Sequence, residues 1–284
     1  MSSTAKRLNL GCGGRFHPEW INIDFHSSGG GVIAHDLTRG IPFPDASFEV
    51  VYHSHVLEHF SKTKAPHFIG ECVRVLKPGG VLRVVVPDLG QIVRLYVDAR
   101  ERAIAGQPGW EENYDWMMLE LFDQTVREVS GGEMGKYLGD ETIGNEAFVI
   151  ERVGRDARES VLANVRRSKR PPRRRSLFEE VKKLASLSAA AKALGEFLIR
   201  HLLGNEYRIL QVGRFRAQGE VHQWMYDQYS LSRLLEKAGL AEVVRRSANE
   251  SYVTGWRGFN LDTDADGSIY KADSLFIEAR KPLP

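Results

Sequence analysis

The sequence is poor in cysteine: Cys12 and Cys72 are the only two in 284 residues. That is too few for a disulfide framework, and they are not spaced as zinc ligands. Long apolar runs are also missing. No uninterrupted apolar stretch approaches the ~20 residues of a membrane span. The opening MSSTAKRLNLGCGG has no apolar run of signal-peptide length before its glycine-rich turn. These shortages predict a reduced, cytoplasmic setting and no transmembrane segment. Charge of one sign is lacking too, with 39 basic against 37 acidic residues and a net charge of +2, which argues against wholesale nucleic-acid binding. Repeats and low-complexity tracts are absent. What is present, 42% hydrophobic and 27% charged residues, suffices for a substantial core.

The first ninety residues alternate short strands with connections. Strands are expected at Leu8–Leu10, Trp20–Ile23, Val32–Ala34, Phe48–Tyr52 and Val81–Val86, each apolar and bounded by Gly, Pro or Asp. Apolar residues between the last two predict a helix or helical pair across Val56–Leu76. Strand, helix and strand in this order predict a mostly parallel sheet with helices on both faces, the Rossmann-like α/β class. From Leu89 the pattern turns helical. Helices are expected at Gln91–Ala105, from Trp110 to Val129, and at Leu177–Leu203, where Leu177, Val181, Leu184, Leu187, Ala191, Leu194, Leu198 and Leu202 recur at three- and four-residue steps. A helix at Ser230–Ala238 and strands at Ala241–Arg245 and Leu275–Ala279 return the chain to α/β, making seven strands in all. The expected organisation is residues 1–90 and 220–284 as two parts of one sheet domain, with 91–219 as a large helical insertion or lid.

LNLGCGG ends the first strand in a turn whose bare backbone lets a ligand approach, and ligands of open parallel sheets lie at the strands' carboxyl ends. Asp24 closes the second strand and can accept from two ribose hydroxyls. Asp36 and Leu37, after the third, can meet an adenine amine and ring. A dinucleotide fits worse: Phe16 stands where the third glycine of G-x-G-x-x-G belongs, and Asp24 comes too early. An adenosine-bearing cofactor without pyrophosphate is expected.

LNLGCGG, NID, IPFPDASFEVVYHSHVLEHF and ECVRVLKPGGVLRVVVPDL together resemble the class I S-adenosylmethionine-dependent methyltransferases, and within them bacterial enzymes associated with glycan and exopolysaccharide biosynthesis. The likeness covers Leu8 to Leu89 and resumes at HQWMYDQYSLSRLLEKAGL and DSLFIEARK. It implies S-adenosyl-L-methionine as cofactor, with Gly11 and Gly13 beneath the methionine part, Asp24 at the ribose, Asp36 and Leu37 at the adenine, and Ser54 and His55 on the sulfonium side. Two departures stand out. Asn9 replaces the acid common in this first strand, and Arg15 stands where a third glycine often sits; Arg15 is a candidate contact for the methionine carboxylate. The crossover from Gly14 to Trp20 is too short for a full first helix.

Methyl transfer to a hydroxyl gains from a base near neutral pKa, and histidine is the usual one. If Val56–Phe60 begins a helix, His55, Glu58 and His59 share a face beside the cofactor. His222 comes as the chain leaves the insertion, and Asp88 follows the fifth strand. The candidate catalytic set is His55, Glu58, His59, Asp88 and His222, with Asp88 or Glu58 orienting a histidine base. Asp88 and Asp227 are equally good helix caps. No residue is assigned as a metal ligand, although a divalent ion such as Mg²⁺ among His55, Glu58, His59 and His222 is an alternative way to activate the acceptor.

Asp262–Asp273, DTDADGSIYKAD, has the acid spacing of a calcium loop but lacks flanking helices, and an Asp-Gly turn between strands is the simpler account. The run Arg166–Arg175 carries seven positive charges and two prolines, which predicts an exposed loop; residues 166–203 are candidates for peripheral membrane contact or a homodimer helix. The function these features support is O-methylation of a saccharide or glycosylated metabolite. The alternatives are methylation of another small metabolite or an RNA end, and a non-catalytic partner that binds cofactor or glycan.

Overall fold

A computed structural model describes residues 6–27, 29–169 and 187–284. Seven strands make one sheet: β1 (Arg7–Leu10), β2 (Ile21–Asp24), β3 (Val32–Ala34), β4 (Phe48–Ser54), β5 (Leu76–Pro87), β6 (Ala241–Arg246) and β7 (Ser274–Arg280). Their order is β3-β2-β1-β4-β5-β7-β6. β1 to β5 pair in parallel, and β7 runs antiparallel to both β5 and β6. The expected mostly parallel, seven-stranded Rossmann-like sheet is what the chain forms. β5 begins five residues earlier than expected, because Leu76 pairs with Phe48 across a register shift that absorbs the Pro78-Gly79-Gly80 turn.

Alternation along the strands builds two cores. On one face Leu8, Leu10, Val51, Leu82, Val84, Val86, Leu275 and Ile277 meet two helices, α1 (Ala65–Val75) and a C-terminal one (Gln228–Lys237). α1 supplies Phe68, Ile69, Cys72 and Val75 at helical spacing, and Pro66 suits its first turn. The expected helix across Val56–Leu76 is therefore shorter. Its first part is a single 3₁₀ turn, Leu57–His59, closed by an extended Phe60.

The opposite face lacks a helix where the short Gly14–Trp20 crossover could not supply one. Its cover comes from far along the chain. The segment from Ser247 to Leu261, with a 3₁₀ turn at Trp256–Phe259, lays Trp256 and Phe259 edge-on against Trp20, alongside Val50, Tyr52, Val85 and Phe276. Arg83 of β5 points into this layer and is completely buried. Its Nε donates to Asp262 at 2.8 Å and Nη1 to Glu278 at 3.0 Å, while the two terminal nitrogens reach the carbonyls of Glu250 and Ser247 at 2.9 Å. Tyr52 Oη donates to the other oxygen of Asp262 at 2.7 Å. The five N–H groups of a guanidinium can thus all be met.

Between β5 and β6 the chain is helical: α2 (Leu89–Ile104), α3 (Trp110–Val126), α4 (Gly132–Gly139), α5 (Glu146–Val153), α6 (Arg155–Lys169), α7 (Leu187–Leu203) and α8 (Glu206–Ala217), before the C-terminal helix, α9 (Gln228–Lys237). Ile92, Ala99, Trp116, Met117, Met134, Leu138 and Val149 give α2–α5 a core of their own. α3 stops at Val126, earlier than expected. Residues 166–169 continue α6 instead of opening a loop, since the prolines that forbid helix come only at 171; Arg170–Arg175 and Leu177–Ser186 lie outside the described residues. α7 keeps Leu194, Phe197, Leu198 and Leu202 exposed. Among the described residues, no helix is long and apolar enough to cross a membrane.

Replacing Arg83 by Met leaves Asp262 buried without its ion-pair partner and Glu278 with Arg246 alone at 3.3 Å. Loss of one partner from such a site costs about 3–5 kcal/mol. Urea unfolding of Arg83→Met is expected to show a loss of that size, and a loss under ~1 kcal/mol would mean the aromatic layer alone holds the segment.

Candidate active site

The carboxyl ends of β1, β4 and β5 gather the expected residues. Gly11 and Gly13 have φ of +63° and +52°, a region that only glycine enters without strain. Gly11 is tightly packed, since a Cβ there would meet Val56 Cγ2 at 2.4 Å. Gly13 and Gly14 face open space, with no atom within 4 Å of a Cβ placed on either. Gly13 N–H donates to Asp24 Oδ2 at 2.7 Å, which ties the turn to the end of β2. Asn9, in the place of the usual acid, bridges the Arg15 carbonyl at 3.0 Å and Asn22 Oδ1 at 3.1 Å, so an uncharged amide holds this turn.

A cavity of about 180 Å³ opens over the turn, lined by Gly11, Gly13, Ser54, His55, Tyr270 and Lys271 among others. It is smaller than the ~300–1,000 Å³ of whole ligand pockets. Asp24, Asp36 and Leu37 lie outside it, on the ends of β2 and β3. Asp36 accepts from Thr38 N at 2.9 Å and caps the 3₁₀ turn Leu37–Arg39, while Leu37 is half-buried against the core.

Arg15 does not present a free guanidinium. It donates to the carbonyls of Asn260 and Thr263 at 3.2 Å, pairs with Asp264, and lies 3.7 Å over the Tyr270 ring. The cause is the unusual cover of the sheet: the 247–273 segment arrives here and takes up the cation. Lys271, unmarked by any motif, is the second cation of the pocket lining. Burial holds its pKa below the usual value, against the opposing pull of Glu58, Asp273 and Asp262. One signal could have found it. An antiparallel β7 starts where the parallel strands end, as the Ser274–Pro87 register shows, so residues just before it fall on the ligand-bearing edge. The same segment settles the calcium spacing. Asp262 belongs to Arg83, Asp264 to Arg15, and Asp266 to Ser268 in a turn closed by the Thr263–Ile269 bridge.

His55, Glu58, His59 and His222 do converge, though not on one helix face. His55 sits at φ +55°, and the 3₁₀ turn behind it aims Glu58 inward. Glu58 Oε1 lies 3.3 Å from His55 Nδ1 and 4.0 Å from His222 Nε2. The rings of His59 and His222 meet edge to face at 4.9 Å. Backbone contacts fix the return of the chain: His222 N–H donates to Gln124 O of α3 at 2.9 Å, and Gln223 N–H to Glu58 O at 2.7 Å. Burial lowers His222 to about 3, holds His55 well below its ordinary value, and lowers His59 too. Burial also raises Glu58 to about 8. At neutral pH and with nothing bound, these are close contacts between uncharged groups.

Asp88 is not part of this group. It caps α2, accepting from Gln91 N at 3.1 Å, and pairs with Arg245 at 2.9 Å, so its expected catalytic role is withdrawn in favour of the cap. Asp227 likewise forms a capping box with Ser230 at the start of α9.

A family model described as "Methyltransferase domain" matches residues 19–84, from β2 to the middle of β5. Over residues 19–84 the chain is thus similar to methyltransferase domains. A probable S-adenosylmethionine-dependent methyltransferase of Mycolicibacterium smegmatis is 43% identical over 56 residues. That alignment spans 20% of this chain and 21% of the relative, about a fifth of each. Among solved structures, a possible histamine N-methyltransferase of Thermotoga maritima covers 98% of the chain and 82% of its own, with 11% identity and a TM-score of 0.38. A putative methyltransferase of Haloferax volcanii, solved in complex with the Trm112 methyltransferase activator, covers 99% and 84%, with 10% identity and a TM-score of 0.37. Scores this low add nothing to the sheet order already described.

Arg15→Met removes the clamp on the 260–270 segment while leaving the sheet intact. Hydrogen exchange is expected to speed up at the amides of 262–270 with little change in β1 and β4. Unchanged exchange there would show that the Asp262 anchor suffices.

Proposed function

We propose that the chain transfers a methyl group from S-adenosylmethionine to a hydroxyl of a saccharide or glycosylated metabolite, with a histidine as general base. The observation that carries this is a shared wall: His55 lines the glycine-turn cavity and also touches Glu58 of the buried histidine cluster. A reacting centre between them has a cofactor on one side and proton acceptors on the other.

The residues fit the cofactor. The open backbone of Gly13 and Gly14 leaves room for its methionine end, and Lys271, rather than Arg15, is the cation to meet the carboxylate. Asp24 accepts from the ribose hydroxyls; Asp36 and Leu37 serve the adenine. Gly11 and Ser54 close the sides. When bound, the cofactor supplies an electrophilic methyl on a positively charged sulfur. The chain's part is placement and proton removal. Burial keeps the His55 imidazole neutral, so one ring nitrogen holds a lone pair for the acceptor proton, and Ser274 Oγ at 2.8 Å from Nε2 fixes the ring. His59 and His222 are the reserve candidates behind it.

Support for a sugar acceptor comes from the motif likeness and from a groove of about 430 Å³ adjoining the cluster. Trp224, Tyr226 and Tyr229 line it together with Lys62 and Arg233. Trp224 N–H donates to the Glu58 carbonyl at 3.2 Å, which sets this aromatic wall directly beside the cluster. Aromatic faces with polar rims suit sugar rings. In the same proposal residues 91–219 form the insertion that closes the site, through Gln124 of α3.

Calorimetry with S-adenosylhomocysteine is expected to give binding that weakens at least ~10-fold in Lys271→Met, the size of one charge-assisted contact. With radiolabelled cofactor and a panel of saccharides, His55→Gln is expected to lower turnover by ~10²–10⁴. No heat from well-folded wild-type protein overturns the cofactor site; label passing only to non-sugar acceptors overturns the acceptor class.

A further inference from the structure

The cluster behind His55 has more polar capacity than the protein uses. The Glu58 carboxyl is fully buried, yet neither oxygen has a hydrogen-bond partner. Nδ1 of His59 and Nδ1 of His222 are buried and unpartnered as well. Each such orphan costs about 1–3 kcal/mol when left empty-handed, and four in one spot are not a by-product of packing. Water can relieve one or two. A cation that takes one atom from each residue relieves up to three of the four together.

We propose that Glu58, His59 and His222 form a binding site for one divalent transition-series cation of the zinc or cobalt kind. One ligand atom from each lies within 4.8 Å of those of the others. Two ligands of one tetrahedral ion at 2.0–2.2 Å lie ~3.3–3.6 Å apart, so the site closes with at most about 1.5 Å of side-chain motion. The donors decide the ion class. Two imidazoles and a carboxylate suit zinc, cobalt, nickel or iron, whereas Mg²⁺ prefers oxygen and keeps its waters; the magnesium considered from sequence is therefore replaced.

The surroundings are arranged as outer-shell support. The Val221 backbone beside the His59 ring favours the charged form, against the lowering of its pKa by burial. Lys271 and Arg127 add positive charge nearby, and Asp273 and Glu220 offset it. His55 stands between the ion position and the cofactor cavity. Ion binding does not depend on methyl transfer taking place, so the two can fail separately.

The test uses untagged full-length protein, stripped with a chelator and titrated with Co²⁺. Expected are one equivalent bound with a visible d–d spectrum, displacement by Zn²⁺, and no competition from millimolar Mg²⁺. Glu58→Gln and His222→Gln, each checked for fold by circular dichroism, are expected to weaken binding at least 100-fold. No Co²⁺ binding by the wild type, or equal binding by folded variants, overturns the proposal. If the variants fail to fold, X-ray absorption of the Zn²⁺-loaded wild type decides: two imidazole ligands support the site, and fewer than two overturn it.

Discussion

The buried guanidinium of Arg83 organises more of this molecule than any other single group. It pairs with Asp262 and Glu278 inside the sheet's second core, the latter shared with Arg246, and collects two backbone carbonyls. It adds a polar anchor to the aromatic contacts that lay the segment after β6 over a face of apolar strands. With it, an irregular stretch of backbone replaces a helix as one layer of the domain. Burying ions is costly unless every donor and acceptor is matched, and here the matching partners come from β5, β7 and the segment itself. The chain's two ends are bound together at that point.

The placement of the candidate site follows from this. Once Asp262 is fixed, the next residues must cross the carboxyl edge of the sheet, and they bring Asp264 to Arg15 and Lys271 to the cavity. The polypeptide thus assigns its two local cations different work, one clamping and one facing the ligand space. On the other side, the 3₁₀ turn after β4 and the return through His222 bury a carboxyl among imidazoles. The helical insertion takes part through one backbone contact from Gln124, which links its separate core to the chemistry.

Much of the sheet could be read directly from the chain. β3 and β4 are short β-branched or aromatic runs, β1 is a leucine pair ended by Gly11, and near-continuous burial of β1 and β4 fits strands covered on both faces. The glycine turn and the HVLEH cluster were legible because backbone strain and convergence of polar side chains at a strand end are local matters. What could not be read is what depends on distant partners. Arg15 looked like a free cation until Asp264 reached it across some 250 residues of sequence. Asp88 offered the same side chain for a cap or for catalysis, and only Arg245 beside it decides. The helix expected from Val56 failed because burying Glu58 and packing an extended Phe60 on Phe68 won over helical continuity. Lys271 carried no motif, and only its place just before β7 hinted at the ligand-bearing edge.

The hairpin that closes on Thr263 and Ile269 has a further implication. Its two feet are fixed, at Asp262 in the core and at Tyr270 beneath Arg15, but its tip from Ala265 to Ile269 is exposed. Exposed tips between fixed feet are where inserted residues do least harm. Length changes in natural variants, or a grafted peptide or reporter, are best accommodated there, because the strain of extra residues ends at the bridge and does not travel to the cavity below.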